Sequence, residues 1–303
     1  MTRTDQPTTA ARRPAAARQR SGGRARAGYR RGHRSPLASV ALHLTLIVAS
    51  LAAVAPVAWV VLTSFKPNSA ALSTEHLGAL TVQNYRDVLD QGFGHWMLNS
   101  VVIAAGTMIF GVFIAATAGY AVSRMRFPGS RPLMWLFLIV QMFPVAVLIV
   151  PLFVLLKNLH LLNNPLGLIL VYATTAVPFC AWMLKGYFDG IPIAIDEAGR
   201  IDGLSPFGTF WRLIVPLARP GLAVTAFYTF LTSWGEVAYA SQFLQSPDKY
   251  TLPVGMQTFV NEYVDEWGPL AAGAVLIIVP AAVVFFLVQR HLVSGLTAGA
   301  AKS

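Results

Sequence analysis

Long apolar runs alternate with short polar ones along the 303 residues of this chain. The apolar runs cover about 39–63, 98–122, 133–156, 166–188, 217–242 and 269–289. Each is long enough to cross a bilayer as a helix, which takes about 20 residues. The pattern predicts an all-α integral membrane protein, a six-helix transmembrane bundle with no space left for a soluble domain. A basic arm over 1–36 precedes a transmembrane domain over 37–303. Pro56, Pro144, Pro151, Pro178 and Pro280 fall in or near the spans, where neighbouring helices must satisfy the carbonyls they free. The second span carries Gly106, Gly111 and Gly119 among Ala104, Ala105, Ala115, Ala116 and Ala118, a small-residue helix suited to close packing.

One polar segment, at about 190–216, is longer than a turn between two spans requires. Pro192 suits the first turn of a helix, where its missing N–H would be unpaired anyway. Ala194 to Asp202 gives roughly two turns, and Gly203 can stop them in the left-handed conformation that glycine adopts cheaply. Ser205 followed by Pro206 reads as a second N-cap and first helical position, and Pro216 closes that second element. The expected shape is a helix–Gly–helix elbow outside the bilayer, which offers a surface to a partner.

Composition supports the membrane reading: 55% of residues are hydrophobic and only 12% charged, about half the charge of a soluble domain. The net charge of +10 could suggest nucleic acid, but its distribution excludes that. Ten arginines precede the first span. Arg124, Arg126 and Arg131 lie between the second and third, Lys185, Arg200, Arg212 and Arg219 between the fourth and fifth, and Arg290 and Lys302 after the sixth. The opposite side keeps Lys66, Arg86, Lys157 and Lys249 alongside seven acids, among them Asp87, Glu262 and Glu266. By the positive-inside rule both termini and the elbow are expected in the cytoplasm. The N-terminal arm lacks the apolar core of a secretory signal. It reads as a disordered basic arm near anionic lipid, a composition that an organellar transit peptide shares. Cys180, the sole cysteine, permits no intramolecular disulfide and is expected as a small core residue.

On the outer side, a first loop over about 64–95 holds Asn84–Leu89, expected as a short interfacial helix, and a second runs from Lys157 to Pro165. The third, over about 243–268, mixes aromatics with amides and acids. Aromatic faces stack on sugar C–H surfaces while amides and carboxylates bond hydroxyls, so the composition suits carbohydrate. Anchoring at the membrane interface by Tyr250, Tyr263 and Trp267 fits equally. Glu236 is the carboxylate that falls inside a predicted span. It either lines a passage, pairs across a subunit interface, or reaches the outer headgroups.

Bond-making chemistry has no candidates. No lysine follows a glycine, so no Walker-type phosphate cradle exists; His-Glu-x-x-His and Gly-x-Ser-x-Gly are absent too. His33, His43, His76, His95, His160 and His291 have no metal-ligand spacing. The chain is not expected to be an enzyme or to bind a metal or cofactor, and uphill transport would need an ATPase on another polypeptide.

Glu197, Ala198 and Gly199, then Gly203, then Leu213, Val215 and Pro216 follow a pattern of Glu-Ala-Ala, three residues, Gly, nine residues and an Ile-x-Leu-Pro-like end. Gly199 replaces the last alanine and keeps the position small. The segment resembles the cytoplasmic signature of the membrane subunits of ATP-driven, binding-protein-dependent importers. From about residue 37 onward the chain is similar to the sugar branch of these permeases, nearest to the second membrane subunit of maltose and maltodextrin importers. The similarity is carried by Ser64–Pro67, Gln141–Pro144, Pro151–Phe153, Leu166–Ile169, Val177–Phe179, Tyr250–Gln257, Trp267–Gly273 and Gln289–Gly299. It implies a multi-pass subunit of a bacterial inner (plasma) membrane, paired with a paralogous membrane subunit. Two ATPase subunits would bind ATP and Mg, and an external sugar-binding protein would deliver substrate.

The resemblance implies that Asp196, Glu197, Ala198, Gly199, Ile201, Asp202, Gly203, Leu204, Leu213 and Pro216 couple to an ATPase. It implies further that Tyr250, Gln257, Asn261, Glu262 and Tyr263 belong to a loop that meets the binding protein and helps release sugar, and that the Gly295–Gly299 tail touches the ATPases. A permease for another sugar is the nearer alternative. A secondary carrier without ATP is the alternative from another class, and it predicts mid-membrane coupling-ion residues that the chain lacks. A membrane-embedded enzyme would need paired catalytic residues. Asp196, Glu197 and Asp202 mimic such a set, but helix capping accounts for them better.

Overall fold

Proline and glycine positions divide the apolar runs into the helices that form. The computed structural model describes residues 36–71, 80–125, 127–260 and 266–300. The N-terminal arm up to residue 35, with Asn261, Glu262, Tyr263 and Lys302, lies outside the described residues. Two units divide the chain, residues 1–52 and 53–303. Helix α1 (Pro36–Ser64) runs through that division and keeps Pro56 inside it. The remaining elements belong to the second unit.

A short helix, α2 (Gln83–Val88), forms where the interfacial helix is expected. A π-helical turn over Leu89–Phe93, with Gly92 at φ 101°, joins it to the long α3 (Gly94–Arg124). Asn84 ties this region down by donating to the Ser64 and Lys66 carbonyls at 2.9 and 2.7 Å. Next come α4 (Ser130–Val140) and α5 (Val145–Asn158), which meet at 103°. The predicted span over 133–156 is therefore a broken one. Pro144, with ψ 134°, lacks the N–H that would continue α4 and drives the backbone out of the helical region. Helix α6 (Pro165–Asp189) starts with an Asn164 side-chain cap and Pro165 in its first turn, and carries Pro178 without breaking.

Three short helices make the elbow: α7 (Ala194–Ile201), α8 (Pro206–Thr209) and, after a π-helical turn over Phe210–Ile214, α9 (Val215–Leu217). Pro216 does not end the second arm. The chain turns instead at Ala218, and α10 (Arg219–Trp234) leaves at 83° to the segment before it. Pro220 supplies the cause, since it cannot donate back into the preceding turn. The fifth span stops at Trp234 rather than running to 242, and α11 (Ala238–Phe243) follows a three-residue break. Short α12 (Leu252–Met256) precedes α13 (Trp267–Ala300). Among the described residues four helices are long and apolar enough to span a membrane, and up to six spans result if each bent pair counts as one.

Helix α3 packs mainly on α6 and α10, and α10 on α13. Small residues set the α3–α6 distance: a Cβ at Gly119 would lie 3.0 Å from the Ala181 carbonyl oxygen and 3.1 Å from the Lys185 nitrogen. Ala104, Ala115 and Ala116 are buried on the same helix, as the small-residue pattern predicts. Cys180 is buried in the apolar cluster that lies under the elbow, with Leu184, Phe188, Phe210 and Ile214.

Candidate functional site

The elbow is built from local signals. Helix α7 ends in two backbone bonds that wrap around Gly203: its N–H donates to the Arg200 carbonyl at 3.0 Å, and Leu204 N–H to that of Gly199 at 2.9 Å. This wrap needs a left-handed residue, and Gly203 sits at φ 79° as expected. The second arm starts with Ser205, whose Oγ accepts from Gly208 N–H at 3.1 Å, and Pro206 occupies its first turn.

The face of α7 turned into the protein is polar at one point only. Asp196 is buried, and each carboxylate oxygen is claimed by α3: Tyr120 Oη donates to Oδ1 at 2.6 Å and Arg124 Nε to Oδ2 at 2.9 Å. The Arg124 and Asp196 side chains are 9% and 7% exposed. A second Arg124 nitrogen, Nη2, donates to the Ile191 carbonyl at 2.8 Å, just before α7. One residue along α3, Ser123 Oγ donates to Asp189 at the end of α6, and Lys185 completes that cluster with an ion pair to Asp189 at 2.6 Å. The last turn of α3 is thus fastened to both the entry and the body of the elbow.

One turn further, Gly199 is buried against the second arm. A Cβ there would stand 2.8 Å from Thr209 Oγ1 and 3.0 Å from Leu213 Cδ1, so even the alanine of the usual pattern would force these side chains to move. Aromatic packing completes the seat. Tyr120 lies 4.8 Å from Phe210 and 5.9 Å from Phe188, ring centre to ring centre.

The opposite face of α7 is free. Glu197, Ala198, Ile201 and Asp202 are exposed, Ile201 by 87%, and Phe207 on the second arm by 63%. Neither Glu197 nor Asp202 has an ion pair among the described residues. Of the expected coupling residues, then, Asp196 and Gly199 point inward, Leu204 and Leu213 are half-buried, and Glu197, Ala198, Ile201, Asp202, Gly203 and Pro216 face out. Two outward-facing apolar side chains, with Glu197 and Asp202 beside them, make a surface suited to a partner with a basic rim. Tyr120 and Arg124 were not among the residues expected from sequence. The signal was present in the helical spacing: Asp196 sits three residues before Gly199, on the face that must be buried.

The described part of the third loop is largely packed structure. Leu252, Met256 and Phe259 enter an apolar cluster with Trp96, Phe230 and Trp234. Asn99 donates to the Asp248 and Tyr250 carbonyls at 2.8 and 3.0 Å, Trp96 Nε1 to that of Pro247 at 3.0 Å, and Ser100 Oγ accepts from Leu252 N–H at 2.8 Å. Tyr250 is half-buried and Gln257 exposed. Glu236 stands in the break before α11 and works as its cap: it accepts from the Tyr239 and Ala240 N–H groups at 2.8 and 3.1 Å, and from Tyr172 Oη at 2.6 Å. Its carboxylate charge is met by three donors.

The family model for the binding-protein-dependent transport system inner membrane component matches residues 111–297. A maltodextrin transport system permease protein of Streptococcus pneumoniae is 35% identical over 263 residues, 86% of this chain and 94% of that one. A galactooligosaccharides transport system permease protein of Bacillus subtilis is 35% identical over 266 residues, 86% of this chain and 94% of its own. A trehalose transport system permease protein of Mycobacterium tuberculosis is also 35% identical, over 82% of this chain and 93% of its own. Among solved structures, a bacterial ABC transporter involved in the import of the acidic polysaccharide alginate has a chain of the same fold, with a TM-score of 0.70 at 22% identity over 84% of this chain and 96% of its own.

Proposed function

The chain belongs to the family of binding-protein-dependent transport system inner membrane components, and from that premise we propose that it is a membrane subunit of an ABC importer for oligosaccharides of the maltodextrin type. The observation that carries the coupling role is the two-sided elbow: Asp196 locked to α3 within, Glu197, Ala198 and Ile201 presented without. A cytoplasmic ATPase that seats this outer face pushes on α7 when it closes on ATP. The Asp196–Arg124 link and the aromatic seat pass that displacement to the end of α3, and from α3 to the closely packed α6 and α10. A paralogous membrane subunit and an external sugar-binding protein complete the importer.

The substrate reading is supported by the relative named for maltodextrin and by the Tyr250–Gln257 and Trp267–Gly299 segments. Relatives named for galactooligosaccharides and trehalose share the same level of identity, so the transport assay must include those sugars. In cells lacking this subunit, uptake of labelled maltotriose should be lost while glucose uptake persists. Loss of galactooligosaccharide or trehalose uptake alone would leave the importer standing and overturn the substrate. Purification of the tagged subunit without a stoichiometric ATPase would overturn the importer itself.

A further inference from the structure

On the elbow side of the membrane domain, but apart from the Asp196 clamp, the ends of α3, α4 and α6 border an open cavity of about 400 Å³. Its chemistry is divided into two levels. Arg131 and Lys185 line it together with Ser130, and Trp135, Trp182 and Met134 line the rest. Helices α4 and α6 both begin or end here, and both place their residues in the same order. Arg131 lies in the first turn of α4 and Trp135 one turn deeper; Lys185 lies near the end of α6 and Trp182 one turn deeper. Two helices from different parts of the chain therefore put a cation at the polar level and an indole just inside the apolar level. Trp135 is 67% exposed and Trp182 48%, so the indoles are not used up in the core.

The charges do not cancel. Arg124 is spent on Asp196, and Lys185 shares its charge with Asp189 at 2.6 Å. Arg131 has no ion pair with a described carboxylate. A cavity with a surplus positive charge at the polar ends of apolar helices, and two indoles one turn further in, matches one class of ligand: a phosphate that carries acyl chains. Basic pockets between helices at this depth hold anionic headgroups, and tryptophan prefers the interfacial level at which the glycerol backbone lies. A soluble phosphate would make no use of the indoles.

We propose that this cavity is a binding site for one anionic phospholipid of the leaflet on the elbow side. Arg131 and Lys185 hold its phosphate, and an acyl chain lies along Trp135, Met134 and Trp182. Because Lys185 also holds Asp189, which Ser123 at the end of α3 bonds in turn, the headgroup sits at the edge of the elbow's fastening.

The test is a lipid titration of the assembled, delipidated complex by native mass spectrometry. Phosphatidylglycerol should occupy one site more tightly than phosphatidylcholine. Arg131→Gln alone should weaken that site about fivefold, the worth of one cation near a charged surface. Arg131→Gln with Lys185→Gln should weaken it further, and Trp135→Ala should weaken it with the charges intact. The single Arg131 variant removes no ion pair between described residues, so its fold is preserved, and an unchanged thermal transition checks this. Equal binding of the two lipids, or wild-type phosphatidylglycerol affinity in the double variant, overturns the proposal. Displacement of the lipid by equimolar glycerol phosphate or inorganic phosphate would make this a free-anion site and overturn it too.

Discussion

Arg124→Met is the perturbation that separates a coupling link from an ordinary surface contact. The guanidinium is 9% exposed and makes its ion pair to an aspartate that is itself 7% exposed. Removing it leaves the Asp196 carboxylate buried with one remaining donor from a side chain, Tyr120. Losing one partner of such a buried pair costs about 3–5 kcal/mol, because the other charge is left uncompensated. The helix-on-helix packing of α3 against α6 does not depend on this pair, since it rests on Gly119, Ala115 and Ala116 along the length of the helix. The cost should therefore fall on the local equilibrium in which α7 lifts off α3. At about 1.4 kcal/mol per tenfold, that opening becomes more populated by roughly two to three and a half orders of magnitude.

Hydrogen–deuterium exchange reads this directly. Amides of 191–201 should lose protection in the variant while those of α3 and α6 keep theirs. In the assembled importer, ATP hydrolysis should persist and sugar uptake per ATP should fall. The reciprocal control removes both charges. Arg124→Met with Asp196→Leu replaces the pair by apolar groups, which is often neutral or stabilising for a buried pair, so protection should return toward wild type. Wild-type exchange and wild-type uptake in the single variant would refute the reasoning, and equal loss of protection in single and double variants would refute the attribution to an uncompensated charge.

Other expectations follow from positions already described. Gly203→Pro should uncouple hydrolysis from uptake, because φ 79° is closed to proline and the N–H to Arg200 is lost, whereas Gly203→Ala should cost only about 1–2 kcal/mol; equal uptake by the two variants would contradict this. Glu197→Lys and Ile201→Asp should weaken retention of the ATPase on the purified membrane subunits without changing their thermal transition, and pull-down at moderate salt gives the answer. Phe259→Ala should destabilise the complex by about 3–5 kcal/mol, as expected for a buried aromatic. Gln257→Ala, at an exposed position nearby, should leave stability unchanged, so a matching loss in the two would show that the loop is not packed as described.

The elbow was legible because its signals are local. Gly203, Ser205 and Pro206 act on their own backbone, and each stands where sequence reading puts it. The spans expected over 39–63, 98–122, 166–188 and 269–289 were legible too, since hydropathy acts over about 20 residues at once; the other two apolar runs are bent helix pairs. What was not legible depends on geometry across the chain. Pro144 breaks its helix and Pro178 does not, although both lie in apolar runs. Burial does not separate them, since Pro56 and Pro151 are exposed like Pro144 and still lie inside unbroken helices; the difference is local backbone geometry at Pro144, where ψ is 134°, which hydropathy does not carry. Glu236 reads as an acid within a span because α10 and α11 are continuous in hydropathy; the structure makes it a cap between them.

Asp196 shows most clearly why pattern and role diverge. In the sequence it is one of three acids, Asp196, Glu197 and Asp202, that read alike as charge on a cytoplasmic elbow. The 3.6-residue period places Asp196 and Gly199 on one face and Glu197 and Ile201 on another, and only the position of α3 decides which face is covered. Once α3 covers the first, the second is exposed by the same geometry, with Ile201 and, on the second arm, Phe207 turned outward. A partner that binds there needs no rearrangement of the elbow, since capping, the Gly199 contact and the Asp196 pair have already fixed its shape. Preorganisation of this kind lowers the ordering cost of docking. It also means that a push on the outer face has no soft element to dissipate it before it reaches α3.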